Sequence, residues 1–218
     1  GDVRLALGRV YLSLEKLAAA QAQLVPAEAL LRPFGGAAHA DALLQLAILD
    51  WWGGRYAEAE RRMRDAITRL AREPAHAAAL AGALTSYGAL LNDLGRFDEA
   101  VATAEQTQAL IAQGAGIGAR ERAGMLGNLG YARHGLGQLD AADATLDALG
   151  KVQNTPPYAM ARTIVDRARG QSPAEIRASL ASLERHPGKF NQWLMADAVV
   201  AANLGDRAAA NRYAAAID

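Results

Sequence analysis

With 218 residues and 22.9 kDa, the chain can form one globular domain or one array of repeats. Its 23 basic and 23 acidic residues cancel, and no dense basic block offers the phosphate neutralisation that gives nucleic-acid affinity, so this segment is read as binding no nucleic acid. The absence of cysteine excludes disulfides, thiolate metal sites and a cysteine nucleophile.

The apolar half of the chain is mostly Ala and Leu, both strong helix formers, while aromatics reach only 6%. The β-branched and aromatic runs that a sheet needs are missing. The chain opens at Gly1 without an initiator Met or a signal-like apolar segment, already inside a helical pattern, and so reads as part of a longer or processed polypeptide.

In chain order, one short segment recurs. LEKLAAA (Leu14 to Ala20) is followed by GGRYAEA (Gly53 to Ala59), LGRFDEA (Leu94 to Ala100), LGQLDAA (Leu136 to Ala142) and LGDRAAA (Leu204 to Ala210). The closing alanines lie 39, 41, 42 and 68 residues apart, and a degenerate copy with Ile176 in the alanine's place splits the last interval, giving six units. Each unit reads as two helices: a Gly ends the first, and the alanine sits where the two come closest. Asp98 and Glu99 fall in a first helical turn, where the helix dipole favours acids. Pro33, Pro74, Pro156 and Pro187 lie near unit boundaries. Ser172 followed by Pro173 predicts an N-cap and a first-turn proline. The uncharged stretch from Pro74 to Asn92 is too polar for a membrane span and predicts a buried repeat helix. Ala112 to Ala119 and Gly150 to Pro157 read as connectors.

The first unit has Leu7, Gly8, Tyr11, Ala20, Leu24 and Pro33. The third has Leu84, Tyr87, Gly88, Leu91, Gly95, Phe97, Ala100 and Ala104, and the fourth Leu129, Gly130, Gly137, Leu139, Ala142 and Leu146. At these spacings the chain resembles the tetratricopeptide-repeat (TPR) family, in a long-repeat variant of about 41 residues like those of signalling proteins. Arg4 stands where the family has Trp. Asp50 and Arg133 stand where it has a packing Tyr, which predicts looser or shifted helix pairs there.

The resemblance implies an all-α fold, a right-handed α-solenoid of about six antiparallel helix pairs. Residues 1–149 are expected to hold four repeats carrying a binding groove, and 150–218 two degenerate repeats acting as a C-terminal cap. The groove is expected along the first helices, at Arg9, Gln45, Ile48, Trp51, Trp52, Thr85, Asn92, Asn128, Tyr131 and His134. Asn and Gln can bind a peptide backbone without reading its sequence, and Trp and Tyr are large anchors. Trp51 and Trp52 could instead pack between units. The Lys, Arg and Asn set with which some family members hold a C-terminal carboxylate is replaced here by Leu5, Asp41, Gln45, Gly82 and Ser86.

No cofactor, metal or catalytic residue is assigned. Gly114, Gly116 and Gly118 have the wrong spacing for a dinucleotide loop and follow a helix, not a strand. His39, His76, His134 and His186 are too scattered for zinc, and Asp140, Asp143 and Asp147 read as a solvated helix face. The expected function is a non-catalytic protein- or peptide-binding module, the sensory or scaffolding segment of a larger bacterial regulatory protein. Its partner is another protein or an extended peptide, it has no membrane span, and it is placed in the cytoplasm, or in the periplasm if a parent protein is membrane-anchored. The alternative is self-association through the solenoid ends, suggested by the lack of a polar capping helix after Ile217.

Overall fold

The computed structural model describes residues 1–152, 156–181 and 190–216, and all regular structure among them is helical. Contacts divide the chain into two compact units, Gly1–Ile117 and Gly118–Asp218. The sequence division after residue 149 separates regular from degenerate repeats, and the contact division does not coincide with it. Pro187, His186 and Ile217 lie outside the described residues.

The first unit contains α1 (Asp2–Ser13), α2 (Leu17–Leu31), α3 (Gly36–Trp52), α4 (Tyr56–Leu70), a 3-10 turn (Pro74–His76), α5 (Ala77–Asp93) and α6 (Phe97–Ala112). The second contains α7 (Ala119–Gly135), α8 (Leu139–Val152), α9 (Pro156–Ala168), α10 (Pro173–Ala181), α11 (Phe190–Asn203) and α12 (Arg207–Ala214). The two helices of each pair, α1 with α2 through α11 with α12, pack as a hairpin, and α9 also leans on α11. The fold is an α-solenoid of helix pairs.

One turn closes every pair. Glu15, Gly54, Gly95, Gly137, Gly170 and Gly205 take the left-handed conformation. The next residue's N–H then reaches back to the first helix: Lys16 to the Tyr11 carbonyl at 2.9 Å, Arg55 to Asp50 at 2.8 Å and Gln171 to Asp166 at 3.0 Å, with the same bond at the other three turns. This pattern satisfies the carbonyls that a helix end leaves unpaired. Because the turn recurs at Gly170, the degenerate fifth pair is α9 and α10. Ser172 and Glu175 form a reciprocal capping box at its second helix, whose first residue is Pro173. Ile176 is fully buried there.

The closing alanines Ala20, Ala59, Ala100 and Ala142 are buried, as the repeat predicts. In the last pair Ala209 is buried instead and Ala210 only half-buried. A one-residue change of helical phase turns the buried face by roughly 100°. Within α1–α2 the helices meet at Gly8, where any Cβ would collide with the fully buried Leu24; a Cβ on Gly130 would sit tightly, 3.0 Å from Leu146.

The pairs expected to be loosened are closed by polar bonds. Asp50 is buried and bonded to Arg55 at 2.8 Å and to Arg62. Arg133 donates to the Thr145 hydroxyl across α7–α8 at 2.6 Å. A charge with bonded partners, buried at Asp50 and half-buried at Arg133, replaces the packing of an aromatic ring at these positions.

Candidate binding face on the first helices

In the first unit, α1, α3 and α5 are the first helices of successive pairs. Between them lies a cleft of about 420 Å³, lined by Leu5, Arg9, Ala37, Ala38, Asp41, Leu44, Leu70, Ala79 and Gly82. It exists because small residues stand where large ones would fill it. A Cβ placed on Gly82 would meet nothing within 4 Å.

Polar groups gather at one edge. Arg9 donates to Asp41 Oδ2 at 3.3 Å, and Gln45 donates to Asp41 Oδ1 at 2.8 Å. The Arg9 and Asp41 charges offset each other, so the mouth of the cleft is polar with little net charge. Along α3, Asp41, Gln45, Ile48 and Trp52 follow at the 4-3-4 spacing of one helical stripe. Ile48 is half-buried against the core cluster of α1–α3, whereas Trp52 is 49% exposed.

The other expected groove residues are placed differently. Trp51 is half-buried and donates its indole N–H to Asp93 of α5 at 2.8 Å, joining two successive pairs. Thr85 is half-buried and donates to the Ala81 carbonyl at 2.9 Å. Asn92 is only 7% exposed, so its side chain points into the protein instead of lining an open groove. It occupies the place in its pair that Trp51 has in the preceding one, near the turn. In α7 of the second unit Tyr131 is exposed, and Asn128 and His134 are half-buried. The direct bonds therefore unite Arg9 and Gln45 through Asp41. Sequence spacing puts Leu5, Asp41 and Gly82 on this face but does not mark Ala37 and Ala38, small side chains one helical turn before Asp41, nor Leu70 of α4 and Ala79 of α5, which other helices bring to the cleft.

Several other polar groups have structural partners. His39 is buried and bonded to Glu28 Oε1 at 2.9 Å. Hydrogen bonds from Arg32 hold the Glu28 carboxyl below the usual carboxylate range. The acidic face of α8 is not simply solvated. Arg162 of α9 bonds Asp143 at 2.7 Å and Asp147 at 2.9 Å, and Arg169 bonds Asp140 at 2.7 Å, fastening α9 onto α8. Among the described residues no three His, Asp or Glu side chains form a group that could hold a metal ion. None of the described helices is long and apolar enough to cross a membrane.

No protein-family model matches the chain, and no curated protein matches it in sequence. Solved structures match the fold. PilF of Pseudomonas aeruginosa is similar at 20% identity and a TM-score of 0.65, covering 97% of this chain and 87% of its own. The nearly identical TPR-like repeats of a Podospora anserina protein described as a kinesin light chain match at 17% identity and a TM-score of 0.65, covering 83% of this chain and 93% of theirs. BtubC (BKLC) of P. vanneervenii matches at 17% identity and a TM-score of 0.56, covering 92% of this chain and 87% of its own. The fold is that of the TPR-like solenoids.

Proposed function

We propose that the chain is a non-catalytic binding module that takes an extended peptide, or such a segment of another protein, on the first-helix face of Gly1–Ile117. On this reading it is the sensory or scaffolding part of a larger bacterial signalling or regulatory protein. The observation that carries the proposal is the unfilled apolar cleft beside the Arg9–Asp41–Gln45 group. A cleft with an apolar floor and a few polar groups at its edge suits an apolar side chain inside and a hydrogen-bonded backbone across the rim. The TPR-like fold supports the same reading, since stacked pairs display such a face over several helices. Trp52, at the far end of the α3 stripe, adds a large exposed anchor.

The test is a displayed library of random linear peptides panned against the chain, with binders measured by fluorescence polarisation. Gly82→Phe should fill the cleft from a position where the added Cβ meets nothing, so the helix is left intact. Affinity should fall by about tenfold or more, equivalent to at least about 1.4 kcal/mol. Binders whose affinity is indifferent to Gly82→Phe and Trp52→Ala would place the binding site elsewhere.

A further inference from the structure

The cleft on the first-helix face has apolar walls at Leu5, Leu44 and Leu70 and opens to solvent. A side chain seated in it would keep its outer face in water, so covering that face would add to the affinity. An apolar cavity of roughly 150 Å³ holds one benzene ring, so the cleft, at about 420 Å³, has room for two.

Three residues before Ala37, in the loop between α2 and α3, stands Phe34. It is 85% exposed, the most exposed of the large apolar side chains among the described residues. A single exposed apolar residue is ordinary on a protein surface. This one is set apart by its place. Three residues of chain span at most about 11 Å, so its backbone lies within that distance of the cleft wall at Ala37 and Ala38. Counted from the left-handed turn residue of its pair, Phe34 corresponds to Glu73 and Gly114 in the next two. The repeat itself therefore does not require an aromatic ring at this position.

The loop also gives the ring a pivot and a clear path. Pro33 restricts the backbone on one side, and the Phe34 and Gly35 N–H groups donate to the Leu31 carbonyl at 3.0 and 3.2 Å. Between this pivot and Ala37 stand only Gly35 and Gly36, and a Cβ on either would meet nothing within 4 Å. No side chain on these two residues stands between the ring and the cleft.

We propose that Phe34 is the lid of the cleft, closing over the bound peptide side chain and selecting an aromatic one. The inference rests on the peptide-binding reading of the cleft. An aromatic ring buries about 150–250 Å² when covered, and two rings in offset or edge-to-face contact gain more than their area alone gives. The ligand is thus a peptide segment whose cleft-filling residue is aromatic, held below by the leucines and above by Phe34.

The test uses linear peptides panned on the whole chain and sorted by whether Gly82→Phe weakens them. For the weakened set, Phe34→Ala should lower affinity by about tenfold or more in fluorescence polarisation. Far-UV circular dichroism and the urea midpoint should stay unchanged, because the ring is exposed in the free chain. These peptides should share an aromatic residue. Replacing it by Leu should cost at least about threefold more in the unaltered chain than in Phe34→Leu, the coupling expected of two rings in contact. Phe34→Trp gives a second measurement, since the emission it adds should move to shorter wavelength when a peptide binds. Peptides weakened by Gly82→Phe but indifferent to Phe34→Ala would overturn the lid and leave the binding face standing. An equal cost of the aromatic-to-Leu change in both chains, or an unshifted emission, would overturn it as well. Peptides indifferent to Gly82→Phe would place binding elsewhere, and the lid and the binding face would fall together.

Discussion

Glu15 holds the left-handed turn position, at φ 56°, that glycine holds in the other five described pairs. A left-handed residue with a Cβ costs roughly 1–2 kcal/mol, because the Cβ crowds the following carbonyl. Glycine relieves that strain but loses more backbone entropy on folding, by roughly 0.5–1 kcal/mol. The net result expected for Glu15→Gly is a gain of about 0.5–1 kcal/mol, read as a higher urea midpoint with an unchanged slope. An unchanged or lower midpoint would show that Glu15 compensates through its side chain. The position was legible in the sequence, since LEKLAAA is the one copy of the repeat without glycine. Whether the turn survived there was not, because the Lys16 to Tyr11 backbone bond that closes it leaves no trace in residue identity.

At the scale of elements, the helix pairs and their turns could be read from the repeat, but the bonds that lock neighbouring helices could not. Tyr87 of α5 donates to Glu60 of α4 at 3.0 Å, Arg64 donates to Tyr87 at 2.9 Å, and Arg96 bonds Glu60 at 2.7 Å. The tyrosine was legible as a core residue of the third unit, whereas its partners lie in other helices at separations that no periodicity links. The burial of Asn92 is hidden from the sequence for a related reason: helical spacing gives a residue's angle but not whether a neighbouring pair covers it.

The network has a pH consequence. The Arg96 hydrogen bond holds the Glu60 carboxyl below its usual range. A carboxylate depressed in the folded state contributes stability above its unfolded pKa of about 4.3, and that contribution is lost as pH falls through the folded value. Thermal melts from about pH 6 to pH 3 should therefore show a falling Tm, less steep in Glu60→Gln, which lowers the Tm at neutral pH but has no carboxylate there to protonate. Parallel Tm profiles would mean that other carboxylates, such as Glu28 beside Arg32, set the acid limb.

For the whole molecule, sequence and contacts disagree about where to divide the chain, and the disagreement is physical. Repeat regularity changes near residue 150, and that change is all the sequence records. Contacts instead divide the chain at Ile117, within the helix-free connector that follows α6. In stacked repeats each pair draws stability from itself and its immediate neighbours, so three consecutive pairs can sustain a core. The first unit has three, with buried clusters running from α1 through α5. A chain ending at Ile117 should therefore fold alone, with helical circular dichroism per residue like that of the full protein. It should unfold cooperatively in urea with a slope of roughly half the full-length value, since the slope follows the surface exposed. Trp51 and Trp52 both lie in this fragment, and Trp51 is held by Asp93, so their native emission should be retained and then lost in the same transition. A fragment that is unstructured, or whose tryptophan emission is already that of the denatured chain, would mean that the first three pairs need the rest of the protein to fold. The binding tests would then have to be made on the full chain. If the fragment folds, it carries the cleft at Gly82, which can then be assayed without the degenerate repeats.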